Sequence, residues 1–225
     1  MFIFDQLTLT LTIGVPLAII LYIVKSDRFP EPTHLIIKTF FLGVFLCFPA
    51  GFLNGFVLFF EPIVGIDLSF MAGFTEEPLK FLAFMLFIKP RSEFNEPMDA
   101  IVYGSIISLG FATYENLEYV YLLYGDQSLA ISILRAISAI PLHASCGIIM
   151  GYFIGLYIFY GKRMHLIQAI LIPTIIHAVY NFLASYTGIL FFIYLVGVIA
   201  FAYFAHKSFV NVQNNQISEN QEKAA

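Results

Sequence analysis

Ten polar and ionisable side chains lie within stretches of the chain that are otherwise apolar. They are Glu76, Glu77, Lys80, Glu115, Asn116, Glu118, Arg135, His143, His177 and Asn181. An ionisable group in the core of a bilayer is unfavourable unless it is paired or hydrated, so each is a candidate for a functional site. Structural ion pairs or water-exposed helix ends would explain one such residue more easily than a set of this size.

The adjacent glutamates Glu76 and Glu77 are the first candidates for chemistry. Lys80 follows at spacings of four and three residues, so on a helix its ammonium group can neutralise either carboxylate. Two adjacent buried carboxylates repel each other, which favours the retention of a proton by one of them. A buried carboxyl group poised between its two protonation states suits general acid–base chemistry.

The segments that position these side chains are long and apolar. The chain of 225 residues is 60% hydrophobic and 12% charged, whereas a soluble domain has about 25% charged residues. A membrane-spanning helix needs about 20 mostly apolar residues. The segments that qualify are 8–24, 36–60, 67–88, 99–124, 141–160, 166–184 and 187–205. The sequence therefore predicts an all-α, polytopic membrane protein with about seven spanning helices.

Two regions fall outside these seven segments. The stretch 129–140 is too short to span a bilayer alone, so we expect it to form a half-helix or to extend the span that begins near Pro141. The polar tail 207–225 has no hydrophobic period and is predicted to be disordered. Residues 1–206 then form a single integral-membrane domain.

The basic residues between the spans predict the orientation of the bundle. They follow spans one, three, five and seven, and they are Lys25, Arg28, Lys38, Lys89, Arg91, Lys162, Arg163, Lys207 and Lys223. The loops at the other end, 61–67, 125–128 and 185–187, contain no Lys or Arg. The positive-inside rule therefore places the N-terminus outside and the C-terminus in the cytoplasm.

This orientation brings the candidate residues of four spans to a similar depth. Between the midplane and the extracytoplasmic surface lie Glu76 and Glu77, Glu115 and Asn116, His143, and His177 with Asn181. His177 and Asn181 are one helical turn apart and share a helix face. We therefore expect one cavity that opens to the outside.

Several classes of function are disfavoured. The net charge is −4 with no basic cluster, which argues against nucleic-acid binding. Cys47 and Cys146 lie in apolar runs and are expected to be buried thiols. The sequence contains neither HExxH nor GxSxG. Asp99 is the one aspartate near a span and lies at a cytoplasmic end, which disfavours an aspartyl protease of the GxGD type.

Four motifs follow one another on separate predicted spans within 70–182. They are Glu76-Glu77-Pro78-Leu79-Lys80, then Asp99 with Tyr103-Gly104 and Phe111-Ala-Thr-Tyr-Glu115-Asn116, then His143 with Gly151, and His177-Ala-Val-Tyr-Asn181. As a set they resemble the PrsW family, bacterial intramembrane proteases that make the first cut in membrane-bound anti-sigma factors. The resemblance implies a multi-pass protein of the bacterial cell membrane whose partner is a membrane-anchored protein substrate.

The PrsW family is in turn distantly similar to the CAAX prenyl endopeptidases. In those enzymes paired glutamates precede two histidine-containing motifs, and the second motif ends in His after a Phe. The corresponding residue here is Glu115. This departure keeps us from transferring their metal site and mechanism to this chain.

Two hydrolytic mechanisms remain open. In the first, Glu76 or Glu77 takes a proton from the attacking water, and His177 and Asn181 stabilise the oxyanion. The residues that would position the water and the other groups are His143 and Glu115, supported by Lys80, Asn116, Arg135 and Asp99.

In the second mechanism a zinc ion is bound by Glu76 or Glu77 with His143 and His177, and a water molecule takes an open position. The sequence implies no certain cofactor, and zinc is the candidate. A proton-coupled transporter or channel is the alternative from another class, because buried Glu, Lys, Arg and His also form proton relays. The chain has no internal repeat and its ionisable groups cluster at one depth, so we favour the enzyme.

Overall fold

The computed structural model describes residues 2–186 and 188–224, and these contain ten α-helices and no β-strand. In chain order the helices are α1 (Phe2–Leu9), α2 (Val15–Ser26), α3 (Thr33–Phe59), α4 (Glu61–Val64), α5 (Ala72–Ala83), α6 (Pro97–Leu117), α7 (Ser128–Ile137), α8 (Ala139–Tyr160), α9 (Met164–Ala184) and α10 (Ile189–Ala224). The predicted all-α fold is confirmed.

Five helical segments of the described chain are long and apolar enough to cross a membrane. They are Gln6–Ser26, Thr33–Val64, Gly125–Tyr160, Met164–Ala184 and Ile189–Lys223. The predicted spans 67–88 and 99–124 are also largely helical, but they contain the acidic residues of the candidate site. The exact number of crossings and their orientation stay predictions.

Helix α6 lies at the centre of the bundle, and most of its residues are buried. Glycine makes its close contact with α8 feasible. A Cβ atom added at Gly104 would lie 2.7 Å from the carbonyl oxygen of Gly147, and one at Gly147 would lie 2.6 Å from that of Gly104. Because those distances are too short for a side chain, glycine at both positions is what lets the two helices approach.

The helices that carry the candidate site are interrupted near it. Pro78 lies inside α5 and Pro173 inside α9, and a proline inside a helix leaves one carbonyl group without its hydrogen-bond donor. The end of α6 continues as a π-helical segment, Glu118–Leu123. Such π-helical turns often occur at functional sites.

Most of the stretch 129–140 lies in the short helix α7, and its last two residues belong to α8. Helix α7 ends at Ile137, the chain bends at Ser138 (φ −128°, ψ −67°), and α8 begins at Ala139. The bend marks a short helix, while Gly125–Tyr160 is also one continuous helical run, so both predicted alternatives for this stretch stay open. Helix α7 carries Arg135.

The polar tail differs from its prediction. Instead of a disordered segment at 207–225, α10 continues to Ala224. Phe209 and Gln213 are only 2% and 1% exposed, and the Phe209 ring packs against Tyr152 with its centroid at 5.0 Å. Because Phe209 and Gln213 are four positions apart, they lie on one face of the helix, and this face contacts the bundle. The low average hydrophobicity of the tail gives no sign of this face.

Met1, Thr187 and Ala225 lie outside the described residues. The structure therefore leaves out the first residue of the predicted membrane domain 1–206 and the last residue of the predicted tail 207–225. It also leaves out the first residue of the predicted span 187–205. The division of the chain into a membrane domain and a separate tail stays a prediction.

Candidate active site

The centre of the site is a buried group of two carboxylates, one ammonium and one imidazole. Lys80 Nζ lies 2.7 Å from Glu77 Oε1 and 3.7 Å from Glu76 Oε2. His177 Nδ1 contacts the same two oxygens, at 3.0 Å and 3.8 Å. None of these four side chains is more than 3% exposed. Helix α5 supplies the acids and the lysine, and α9 supplies the histidine.

His143 on α8 connects this group to Glu115 on α6. Lys80 Nζ lies 3.2 Å from His143 Nδ1, and His143 Nε2 lies 3.0 Å from Glu115 Oε2. A lysine ammonium group can only donate, so Nδ1 accepts from it and Nε2 carries the proton that His143 donates to Glu115. The contacts thus determine one tautomer for the neutral ring.

Arg135 on α7 holds Glu115 from the other side. Its Nη2 atom donates to Glu115 Oε2 at 2.6 Å, and its Nε atom donates to Asn116 Oδ1 at 2.5 Å. The guanidinium carbon also lies 4.1 Å from the centre of the Tyr119 ring, within the range of a cation–π contact. The short helix α7 therefore has the role of placing this cation against the end of α6.

The hydrogen bond between His177 and Glu77 determines what the other ring nitrogen can do. Because a carboxylate accepts, Nδ1 of His177 carries a proton and donates it to Glu77 Oε1. In the neutral ring Nε2 then holds a lone pair. That nitrogen can bind a metal or accept a proton, but it donates to an oxyanion only when the ring is doubly protonated.

Asn54 on α3 is a site residue that the sequence reasoning missed. Its Nδ2 atom donates to Glu76 Oε1 at 3.1 Å, and its Oδ1 atom accepts a hydrogen bond from the Thr75 hydroxyl group. Asn54 thus holds one oxygen of Glu76 from the opposite helix. The available signal was a lone amide side chain within the apolar run 36–60.

A cavity of about 630 Å³ opens beside this cluster. Its lining includes seven of the ten candidate residues: Glu76, Glu115, Glu118, Arg135, His143, His177 and Asn181. Glu77 and Lys80 lie behind them, one layer deeper in the protein. The two adjacent glutamates therefore differ, because Glu76 is in contact with the cavity and Glu77 is enclosed between Lys80 and His177.

Asn181 and Asp99 occupy very different places. Asn181 lines the cavity one turn beyond His177, and its Nδ2 atom donates to the carbonyl oxygen of Ser69 at 3.2 Å. Asp99, predicted as a supporting residue, does not join the site. It lies 16 residues before Glu115 on α6, which is about 24 Å at 1.5 Å per residue.

The buried cluster fits a metal ion. Glu76, Glu77, His143 and His177 each offer one ligand atom, and these atoms lie within 4.8 Å of one another. The Oε2 atoms of Glu76 and Glu77 are buried without a hydrogen-bond partner among the described residues. Two imidazoles with carboxylates match the ligand preferences of zinc. Lys80 contacts His143 Nδ1, so that nitrogen could serve a metal only after leaving the lysine.

The fold and site together define a class: a multi-pass helical membrane protein with a buried carboxylate–imidazole site that faces a cavity. The family model described as "PrsW family intramembrane metalloprotease" matches residues 31–205. The chain belongs to this PrsW family, as the four motifs in the sequence predicted.

Individual relatives agree with this assignment. The chain is 34% identical to Protease PrsW of Bacillus subtilis (strain 168), over 75% of this chain and 78% of the relative. It is 36% identical to Protease PrsW of Oceanobacillus iheyensis, over 82% and 88%, and 34% identical to that of Clostridioides difficile (strain 630), over 79% of each. No solved structure matches the chain significantly. The family and the apolar helices identify a bacterial multi-pass membrane protein and a protease.

Proposed function

We propose that the protein is an endopeptidase that cleaves a single-span membrane protein, an anti-sigma factor, on the extracytoplasmic side of the membrane. The observation that carries this proposal is the convergence of Glu76, Glu77, His143 and His177 beside a cavity lined by further polar groups. Such a cavity can admit both water and an extended peptide within the bundle. Membership of an intramembrane protease family supports the reaction, and the resemblance of the motifs supports the substrate and its first, site-1 cleavage.

Glu76 is the residue that we assign as the base. It lines the cavity, and its Oε2 atom has no hydrogen-bond partner among the described residues, while Asn54 holds its Oε1 atom. A water molecule that enters the cavity beside Glu76 can lose its proton to this carboxylate as it attacks the peptide carbonyl group. Glu77 is already engaged by Lys80 and His177, so its role is to orient those two groups.

Asn181 is the preferred donor to the oxyanion. Only one of its two amide N–H groups is needed for Ser69, and the second is available to a tetrahedral intermediate in the cavity. His177 and Asn181 lie on one face of α9 as predicted. The neutral His177 ring, however, presents an acceptor to the cavity, so its contribution is to accept a proton or to bind metal.

Zinc is the metal that these residues would bind, through Glu76, Glu77, His177 and, once released by Lys80, His143. A bound zinc ion would lower the pKa of a water molecule and polarise the carbonyl group. The residues around the ligands keep the same duties with or without the ion: Lys80 balances the carboxylates, and Glu115 with Arg135 holds the orientation of His143.

The test is cleavage of a membrane-anchored anti-sigma factor by the purified protein in proteoliposomes, with bound metal measured in the same sample. We expect a single cut near the extracytoplasmic boundary, and loss of the cut in Glu76→Gln. The exposed acid Asp126 provides the matched control, since Asp126→Asn should cleave as the wild type does. Proton or solute flux without any cleavage would contradict the proposal and favour a transporter.

The side of cleavage needs its own measurement. A reporter that is active only outside the cytoplasm should be active when fused after Gly125 and silent when fused after Arg91 or Arg163. The positive-inside rule gives this expectation. The reverse pattern would place the cavity on the cytoplasmic side and would exclude an extracytoplasmic cut.

A further inference from the structure

A second cluster of carboxylates lies at the other end of α6. Asp27 follows α2, Glu31 precedes α3, and Glu96 and Asp99 lie at the start of α6. Asp27, Glu96 and Asp99 each offer a ligand atom within 4.8 Å of the others. Glu31 adjoins them and accepts a hydrogen bond from the Tyr103 hydroxyl group. Two separate parts of the chain, the loop between α2 and α3 and the start of α6, thus bring acidic groups to one place.

Each of the two aspartates in this cluster has one satisfied oxygen and one that is not. Asp99 Oδ2 accepts from the backbone N–H groups of Asn95 and Glu96, at 2.8 Å and 2.9 Å. Asp27 Oδ1 accepts from Gln213 Nε2 at 2.7 Å. The remaining atoms, Asp99 Oδ1 and Asp27 Oδ2, are buried without a conventional hydrogen-bond donor among the described residues, in side chains that are 0% and 7% exposed, and the carboxyl group of Asp99 lies within hydrogen-bonding reach of that of Glu31. A buried, unsatisfied carboxylate oxygen is strongly unfavourable unless a cation or a proton reaches it.

The protein supplies no positive charge to these groups. Among residues 2–186 and 188–224, no Lys, Arg or His forms an ion pair with any of the four carboxylates. Arg28, next to Asp27, turns away and donates through Nε to Asn214 Oδ1 at 3.1 Å. Such a cluster calls for a positive charge from outside the chain.

We propose that Asp27, Glu96 and Asp99 bind a hard divalent cation, Mg²⁺, with Glu31 at the edge of the same site. The donor set is made entirely of oxygen atoms, which Mg²⁺ and Ca²⁺ prefer, whereas zinc prefers sites with nitrogen or sulphur. Mg²⁺ keeps several of its water ligands and needs only a few carboxylates from the protein. Glu31 and Glu96 are only partly buried, which leaves a side open for those waters.

The ion would fasten the helical tail to the bundle. Gln213 on α10 donates to both Asp27 Oδ1 and Glu96 Oε1, at 2.7 Å and 2.6 Å. Its amide group therefore holds these two carboxylates from one side, and a cation would neutralise their remaining oxygens from the other. Binding should stabilise the contacts among α2, α6 and α10, and it should do so whether or not the protein cleaves any substrate.

Thermal unfolding of the full-length protein in detergent provides the first test. After treatment with chelator and its removal, added MgCl₂ should raise Tm by about 5 °C in a saturable manner, as expected when a ligand binds the folded state alone. Asp27→Asn and Glu31→Gln should reduce or abolish this increase. Asp126→Asn, which changes an exposed acid elsewhere, should keep it. An increase of equal size in all four proteins would overturn the site.

Terbium luminescence provides the second test and locates the ion directly. The chain has no Trp, and the Tyr103 ring lies against Glu31, so tyrosine excitation should sensitise Tb³⁺ bound in this cluster. Mg²⁺ should displace the signal, and Tyr103→Phe should weaken it while Mn²⁺ binding, measured by electron paramagnetic resonance, persists. If Tb³⁺ gives no signal and Mn²⁺ does not bind, the cluster holds shared protons instead and the proposal is wrong.

To separate this site from the cluster around Glu76, both tests are repeated with His177→Ala. Because that substitution alters only the distant cluster, the response to Mg²⁺ and to Tb³⁺ should persist. Loss of both responses in His177→Ala would assign the ion to the other end of α6 and would contradict the proposal. Failure to cleave an anti-sigma factor has no bearing on either result.

Discussion

Acidic side chains converge near both ends of α6, and their charge is balanced in two different ways. At the end with the cavity, Lys80, Arg135 and two histidines surround Glu76, Glu77 and Glu115. At the start of α6, Asp27, Glu31, Glu96 and Asp99 meet an amide group and backbone N–H groups but form no ion pair within the described residues.

This difference separates a site built for chemistry from a site built for binding an ion. Internal cations hold Glu77 and Glu115 in one orientation, while Glu76 lines a cavity of about 630 Å³. In the other cluster the ligand atoms of Asp27, Glu96 and Asp99 lie within 4.8 Å of one another, and one oxygen of each aspartate lacks a conventional donor among the described residues. Preorganised charge around one available base favours catalysis, whereas uncompensated charge favours a bound cation.

The largest expected effect is the loss of cleavage on substitution at Glu76. Glu76→Ala and Glu76→Gln should each lower kcat by about 10²–10⁴-fold, the usual contribution of a general base, in a proteoliposome assay with a membrane-anchored substrate. Glu77→Ala should also abolish cleavage, because it frees Lys80 and His177 from their shared partner. Normal cleavage by both alanine variants, with insertion checked by protease protection, would show that the base lies elsewhere.

Two residues on α9 should separate donation to the oxyanion from metal binding. Asn181→Ala should lower kcat by about 10²–10³-fold with little change in KM and should keep its zinc. His177→Ala should lose zinc as well as activity, since its free nitrogen is the candidate ligand. The measurements are turnover and metal content on the same preparations. Full activity in both variants would remove α9 from the mechanism.

A smaller effect is expected at Asn54, which positions Glu76 without reaching the reacting atoms. Asn54→Ala removes one hydrogen bond to a charged group, so we expect kcat to decrease about tenfold. KM should stay the same, whereas damage to substrate binding would raise it. The exposed Asn215 on α10 provides a matched control as Asn215→Ala. An unchanged kcat would mean that Glu76 is held by other contacts.

The smallest effect concerns stability at the other end of α6. Gln213→Ala leaves Asp27 and Glu96 without their shared donor and should lower the free energy of unfolding by about 1–3 kcal/mol, measured in the presence of chelator. Gln216→Ala, three residues later and exposed, should change it much less. Added Mg²⁺ should restore part of the loss if the two carboxylates are also cation ligands. Equal stability of the two variants would contradict the role given to Gln213.

Most residues of the candidate site could be predicted from the sequence, and one could not. Glu76, Glu77, His143 and His177 were predicted to meet because charged groups inside apolar helices have few ways to be satisfied except by one another. That the stretch 129–140 does not span a bilayer alone was predicted from its length. Asn54 was missed, because a neutral amide in a long apolar helix carries only a weak signal until its partner on another helix is known.

Two predictions failed for reasons of long-range geometry. Asp99 was grouped with the site through its motif, but the rise of α6 places it about 24 Å from Glu115. The tail was expected to be disordered because its composition is polar, yet its buried face of Phe209 and Gln213 finds partners on Tyr152, Asp27 and Glu96. The average hydrophobicity of a segment does not reveal an interaction that depends on a few residues of one helical face.

Apolar runs and spacings within a helix are local properties, so the amino-acid sequence was enough to predict a helical membrane protein of the PrsW family with buried acidic and histidine residues. The packing of the helices, in contrast, places Glu76 at the cavity, encloses Glu77, and selects a single neutral tautomer of His143. It also decided that a second acidic cluster lies at the opposite end of α6. Each of these depends on which atoms of different helices come within hydrogen-bonding distance, and helix packing alone determines those distances.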